Sequence, residues 1–183
     1  MELSQIVNDI ADALKIIDSS KIPFKNFQPG IGPYGEPQMV KLLAEQLNRL
    51  PNYEHRAKTM RTPDLLIAHH WAIEIKIARP FGDNGKVAEN WSVNLTHPYS
   101  GNTSLLGDCI KLRSFECCEQ KAVIAIGFEH DPPQISLEPL AKSFEAIAKD
   151  VLGIDLGNRV SAIRTNLVHP VHERLTVMGW TVQ

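Results

Sequence analysis

The sequence predicts an α/β domain: a three-layer sandwich in which helices cover both faces of a central mixed sheet. Three observations carry this expectation. Leu3, Ile6, Ile10, Ala13, Leu14 and Ile17 recur at helical spacing. The segments DLLIA and WAIEIKIA, residues 64–68 and 71–78, read as two strands of a hairpin. The run AVIAIGF, residues 122–128, is apolar throughout, as in a strand buried on both faces.

The elements follow in order. A first amphipathic helix covers roughly residues 3 to 18. SSKIPFKNFQPGIGPYG, rich in proline and glycine, reads as a loop. A second helix starts near Pro37, because proline suits a first helical turn, and Val40, Leu43 and Leu47 form its buried stripe. YEHRAKTM reads as a strand with basic residues, and the hairpin follows it. Residues 79 to 102 show no clear period, and an aperiodic stretch of that length inside a compact domain is usually functional or mobile. Asn102, Thr103 and Ser104 offer caps for a third helix with Leu105, Cys109 and Leu112 on its apolar face. After the 122–128 strand, Ser136 caps a fourth helix that carries Leu137, Leu140, Phe144, Ile147, Ala148 and Val151 inward and ends at Gly153. RVSAIRTNLV and ERLTVMGWTV read as two last strands. The order is helix, helix, three strands, helix, strand, helix, two strands.

The totals bound the function. With 183 residues, 43% of them hydrophobic, the chain fits a single domain, residues 1–183, with a helical N-terminal extension over about residues 1–34. Nineteen basic and 21 acidic side chains leave a formal charge of −2, so no global basic field draws in nucleic acid and any polyanion site is a local patch. No apolar run is long enough to span a bilayer, so no membrane partner is expected. The N-terminus starts acidic and amphipathic, unlike a secretory signal. Three cysteines, Cys109, Cys117 and Cys118, follow no disulfide framework, and a reduced, cytoplasmic protein is expected.

The hairpin carries the chemistry. Successive side chains of a strand point to opposite faces, so Ile73, Ile75 and Ile77 share one face while Glu74 and Lys76 share the other. Asp64 joins the charged face if it pairs opposite Glu74 or Lys76, which requires an odd loop centred on His69 or His70. A two-residue His69-His70 turn would set Asp64 opposite Ile75, on the wrong face. A three-residue loop, or a bulge, is therefore expected. Two carboxylates about 4 Å apart repel by roughly 4 kcal/mol at an effective dielectric of about 20, and Lys76 offsets only part of that. A divalent cation between them would resolve the conflict, and oxygen ligands suit Mg²⁺ or Mn²⁺. Such an ion lowers the pKa of bound water and neutralises a phosphate in its transition state, while Lys76 steadies developing charge. A further carboxylate is expected at the second helix. Glu36 starts the inward stripe, whereas Glu45 should face water. Pro37 disfavours helical geometry at Glu36, so a capping role stays open beside a catalytic one.

Pro63-Asp64, nine intervening residues, then Glu74-Ile75-Lys76 resembles the PD-(D/E)xK motif of the restriction-endonuclease-like nuclease superfamily. The order helix, three strands, helix, strand over roughly residues 35 to 130 is also similar to that superfamily's common core. The resemblance implies Mg²⁺-dependent hydrolysis of DNA phosphodiesters. It implies Asp64 and Glu74 as metal ligands, the Ile75 carbonyl as a third oxygen and Lys76 as the catalytic lysine. Glu36 matches, more loosely, the acidic residue that many members carry on the helix before the sheet. A homodimer would cut both strands at one encounter. Two other hypotheses stand beside the nuclease: a catalytically inactive DNA-binding or assembly module on the same fold, and a structural interaction protein.

Other residues are weighed beside this set. Arg56, Lys58 and Arg61 either contact phosphates beside the cleft or form a solvated basic edge strand. RPFGDNGK and NWSVNLTHPYSGNTS, with Lys86, Trp91, Tyr99 and Asn102, form either a loop over substrate or a subunit contact. His69 and His70 are expected as exposed turn residues. HPVH, with His169 and His172, lacks a supporting carboxylate or thiol pattern for metal. Cys117-Cys118 reads as a helix end. Asp108 and Lys111 read as a helical i, i+3 pair.

Overall fold

The computed structural model describes residues 1–98 and 104–183. Its elements are α1 (Leu3–Ser19), α2 (Glu36–Leu47), β1 (Ala57–Thr59), β2 (Leu65–Ile67), β3 (Trp71–Ala78), a short α3 (Val93–Thr96), α4 (Leu105–Ser114), β4 (Gln120–Glu129), α5 (Glu138–Ala146), β5 (Val160–Arg164) and β6 (Arg174–Thr181). A five-residue π-helical segment, Ile147–Val151, prolongs α5. The predicted order holds, and α3 is added inside the aperiodic stretch. Tyr99, Asn102 and Thr103 lie outside the described residues. Of the three cap residues expected for α4, Ser104 does the work, its Oγ accepting from the Gly107 N–H at 3.1 Å.

The sheet has six strands in the order β1-β2-β3-β4-β6-β5. Only the β3–β4 pair is parallel, and α3 and α4 lie on the connection between these two strands. The other four pairs are antiparallel, so the sheet is mixed. Helices flank both faces. Ile73, Ile75 and Ile77 pack with α1 and α2, beside Ile124, Ile126 and Phe128 of β4. Ala72 and Ala78 pack on the opposite face with Val123 and Ala125, under α4 and α5. Each of the three isoleucines is buried, and burial of such a side chain stabilises by about 1.5–3 kcal/mol. The face that carries Glu74 and Lys76 is otherwise lined on β3 by alanines, which leave width for the longer charged side chains.

Two strands are shorter than their patterns. YEHRAKTM yields only β1, because Glu54 and His55 adopt positive φ (42° and 64°), which no strand tolerates. Asn48 then takes over the backbone of Ala57, accepting from its N–H at 2.9 Å and donating to its carbonyl at 2.8 Å. RVSAIRTNLV stops at Arg164, and Asn166 turns the chain at φ 57°. The fourth helix begins two residues after Ser136. Leu137 is drawn into the core above Gly127, where a Cβ on the glycine would come within 2.0 Å of the leucine side chain. Ser136 still serves that helix end, its Oγ accepting from the Glu138 N–H at 3.2 Å.

Candidate functional site

The hairpin has the predicted odd loop. Leu65 pairs with Ile73 and Ile67 with Trp71, so Ala68, His69 and His70 form a three-residue turn. His69 at its centre has φ 66°. Carrying the register one step further sets Asp64 opposite Glu74. β2 ends there, leaving β3 from Glu74 onward without a ladder partner on that edge. Asp64 continues the edge with its side chain: Oδ2 accepts from the Ile75 N–H at 2.9 Å. The Ile75 carbonyl leaves the strand on the same side as its N–H and accepts from Lys76 Nζ at 3.1 Å.

Lys76 therefore does not stand free on the charged face. Its ammonium turns round the strand edge to Glu36 Oε1 at 2.9 Å and also lies 3.1 Å from Asp108 Oδ2. Glu36 is the first residue of α2, with Gly35 at the cap position and Pro37 in the first turn. The proline is thus accommodated one residue after Glu36, and the carboxylate projects from the helix start to the lysine.

α4 contributes two groups that the sequence reading set aside. Lys111 Nζ lies 2.9 Å from Glu74 Oε1 and 2.9 Å from Asp108 Oδ1. Asp108 is buried among apolar residues, and the reason is legible in retrospect: Leu105, Asp108 and Leu112 fall at helical spacing on one face. The expected i, i+3 pair of Asp108 and Lys111 is present, and burial of Asp108 on that stripe carries it into the cluster. The result is a cluster of Glu36, Asp64, Glu74 and Asp108 with Lys76 and Lys111, assembled from α2, β3, α4 and the residue before β2.

Burial decides the electrostatics. Glu74 is 0% exposed. Burial, then the adjacent Asp64 carboxyl, push its pKa up to about 8, and Lys111 only partly counters them. As a carboxylate Glu74 has no aligned donor among the described residues, with Lys111 2.9 Å from Oε1; protonated, it shares a hydrogen bond with the adjacent Asp64 carboxyl. The Lys76–Asp108 contact is likewise an ion pair rather than an aligned hydrogen bond at Oδ2. For Lys76, burial pulls the pKa down, but Asp108 and Glu36 outweigh it and raise the value, so the ammonium stays charged. Burial raises the Glu36 pKa, and Lys76 only moderates this.

Asp64 and Glu74 sit beside one another, and the Ile75 carbonyl opens on the same strand edge. The Glu74 carboxyl, buried beside Asp64, completes this trio. A hard cation suits such oxygens. Among the described residues, however, no three or more His, Cys, Asp or Glu side chains are grouped closely enough to hold a metal ion. The third oxygen of any such set would be the Ile75 carbonyl. The remaining carboxylates, Glu36 and Asp108, are committed to the lysines.

The basic residues spread out. Arg56 flanks the hairpin tip, its carbonyl accepting from Ala68 N–H at 3.1 Å and its guanidinium pairing with Glu54 at 2.8 Å and meeting His70 Nε2 at 3.2 Å. That is the end of the hairpin away from Asp64. Arg61 is exposed and lies beside Met60, whose N–H donates to the Asp64 carbonyl at 3.3 Å. Lys58 is exposed on the edge strand β1. Lys86 is exposed in the turn closed by the Phe81–Val87 bridge. His69 is exposed and His70 half-buried at the turn.

His169 and His172 are both buried and their rings stack at 4.6 Å. His169 Nδ1 accepts from the N–H groups of Val171 and His172 at 3.2 and 3.3 Å. His172 Nε2 donates to the Phe81 carbonyl at 3.0 Å, and burial lowers its pKa to about 4, so the ring is neutral. Gly32 makes room for it, since a Cβ there would come within 2.4 Å of Nδ1. The pair ties loops together. No helix among the described residues is long and apolar enough to cross a membrane. Comparison with family models, curated proteins and solved structures finds no match.

Proposed function

We propose that the chain is a metal-dependent endonuclease that hydrolyses DNA phosphodiester bonds on a restriction-endonuclease-like core. One observation carries the reading: the register and odd loop bring Asp64 against Glu74 and the Ile75 backbone at an unpaired strand edge, with Lys76 on the same stretch. Charge supports it. Four carboxylates face two ammoniums, so the fully ionised cluster is two charges negative, the deficit that one divalent cation fills.

Asp64, Glu74 and the Ile75 carbonyl would hold Mg²⁺, with Mn²⁺ as a substitute. When bound, the ion supplies an acidified water and neutralises charge on the phosphate. The chain's own residues do the rest. Glu74 would release its proton to the solvent in order to serve as a ligand. Lys76 remains an ammonium and stabilises the negative charge that develops on the phosphoryl oxygens. Glu36 and Asp108 hold that ammonium in place, and Lys111 tempers the negative charge of Glu74. Lys58 and Arg61 border the hairpin where a phosphate backbone would run, with Arg56 and Lys86 further out. Two protomers would cleave both strands at one encounter.

The second reading is a non-catalytic DNA-binding or assembly module. The internal pairing of Lys76 and Lys111 with the carboxylates favours it, because the cluster is self-compensating to that extent. Plasmid DNA incubated with Mg²⁺, Mn²⁺ or EDTA separates the two. The nuclease nicks only with metal, and both Asp64→Asn and Lys76→Ala abolish nicking. Equal activity in these variants would end the assignment, and salt-sensitive DNA binding without cleavage would install the second reading.

A further inference from the structure

A cleft of about 540 Å³ opens beside the C-terminal end of β3, within the range of small-ligand sites. Ile77 lines it from the strand, Phe27 from the loop between α1 and α2, and Arg79, Asp83, Glu89 and Trp91 from the segment after β3. Arg79 lies three residues beyond Lys76, roughly 10 Å along an extended chain. Glu36, which anchors Lys76, also acts electrostatically on Arg79, so cleft and charged cluster are neighbours.

The chemistry of the lining selects its occupant. Two carboxylates outnumber the one guanidinium, so a phosphate is disfavoured. The same carboxylates accept from the exocyclic amines of a nucleobase. Arg79 lines the cleft and donates to the Tyr34 carbonyl, which holds its guanidinium beside the space where a base edge would lie. Of the three tryptophans, Trp71 and Trp180 are buried (3% and 0% exposed), whereas Trp91 is only partly buried, packed against the core on one side and bordering the cleft. Phe27, 37% exposed, presents a second ring from the other loop.

We propose that this cleft holds one unpaired nucleobase of a nucleic acid, stacked on Trp91 and read at its edge by Arg79 and the acidic lining. The proposal rests on the nuclease reading for its biological sense, since it makes a single-stranded end or junction the preferred substrate class. A base within a duplex cannot enter, because its edge and both faces are occupied.

The test separates the two claims by measuring binding in EDTA. A mixed-sequence single-stranded oligonucleotide is titrated against the protein, followed by Trp91 fluorescence and by anisotropy of the labelled strand. The same strand annealed to its complement is the control. The single strand should quench the fluorescence and bind at least tenfold tighter than the duplex. Trp91→Ala should weaken single-strand binding roughly 5- to 150-fold, as expected for loss of one base–aromatic stack. Trp91→Phe should retain most of the affinity, and Arg79→Gln, compared per folded molecule because it also releases the Tyr34 carbonyl, should lower it. Equal affinity for single strand and duplex, or unchanged affinity in Trp91→Ala, overturns the proposal. If the wild type nicks plasmid with Mg²⁺ and shows that result, the nuclease stands and the base cleft falls. If it binds as described but never cleaves, the cleft stands and the catalytic reading falls.

Discussion

Asp18 and Glu74 are both buried carboxylates, 1% and 0% exposed, yet they differ in what surrounds them. Asp18, at the end of α1, is saturated: Oδ1 accepts from the Ile31 N–H at 3.0 Å and Oδ2 from the Val168 N–H at 2.8 Å. It pins the 19–35 loop to the segment before β6, next to the stacked histidines. Glu74 has no donor aligned on its carboxylate among the described residues, only a carboxyl neighbour that shares its proton and one ammonium at 2.9 Å. A saturated acid in the interior is a fastener. An acid left short of partners stores an electrostatic cost that the rest of the fold must offset.

Substitution should break the two regions in opposite ways. Asp64→Asn and Glu74→Gln should each reduce Mg²⁺-dependent nicking by roughly 1,000-fold, equivalent to about 4 kcal/mol of barrier, while the unfolding midpoint in urea holds or rises. Glutamine copies the shape of the protonated acid, so no cavity forms. Asp18→Ala should do the reverse. It strands two backbone donors and should cost about 2–4 kcal/mol of stability in chemical denaturation. Nicking per folded molecule should be unchanged. If Glu74→Gln proves the more destabilising of the two, the contrast between fastener and stressed acid is lost.

pH sharpens the same contrast. The Glu74 pKa is raised on folding, so between the ordinary carboxylate range and about pH 8 the folded state holds a proton that the unfolded state has released. Stability from this group is fully present at low pH and falls as pH rises, by about 1.4 kcal/mol per pH unit at the steepest. Glu36, also raised, acts in the same sense. Denaturation curves at pH 5, 6.5 and 8 should show the decline in wild type and a flatter profile in Glu74→Gln. The smallest effect is metal stabilisation. At Mg²⁺ fivefold above its dissociation constant the gain is about 1 kcal/mol, visible as a raised thermal midpoint in wild type and absent in Asp64→Asn.

How much of this was legible depended on whether the signal was local. Strand alternation fixed which side of the sheet Glu74 and Lys76 occupy. Parity fixed the length of the turn, because only an odd loop keeps Asp64 opposite Glu74. Helical spacing located α1, α2 and α4 to within a residue or so. What escaped was tertiary. Nothing between residues 36 and 76 indicates that Glu36 would reach Lys76 rather than the carboxyl pair. Asp108 and Lys111 form the i, i+3 pair that their spacing indicates, but spacing within one helix does not show that the pair also meets Glu74 and Lys76. Strand lengths were overestimated where residues with positive φ, Glu54, His55 and Asn166, interrupted favourable compositions.

Lys76 already occupies the Ile75 carbonyl, and Lys111 already attends Glu74. The chain thus supplies its own competitors for the place a divalent ion would take. On the proposed reading, loading would be an exchange of one cation for another, and the occupied fraction would follow the surrounding magnesium level like a gauge instead of saturating at trace amounts.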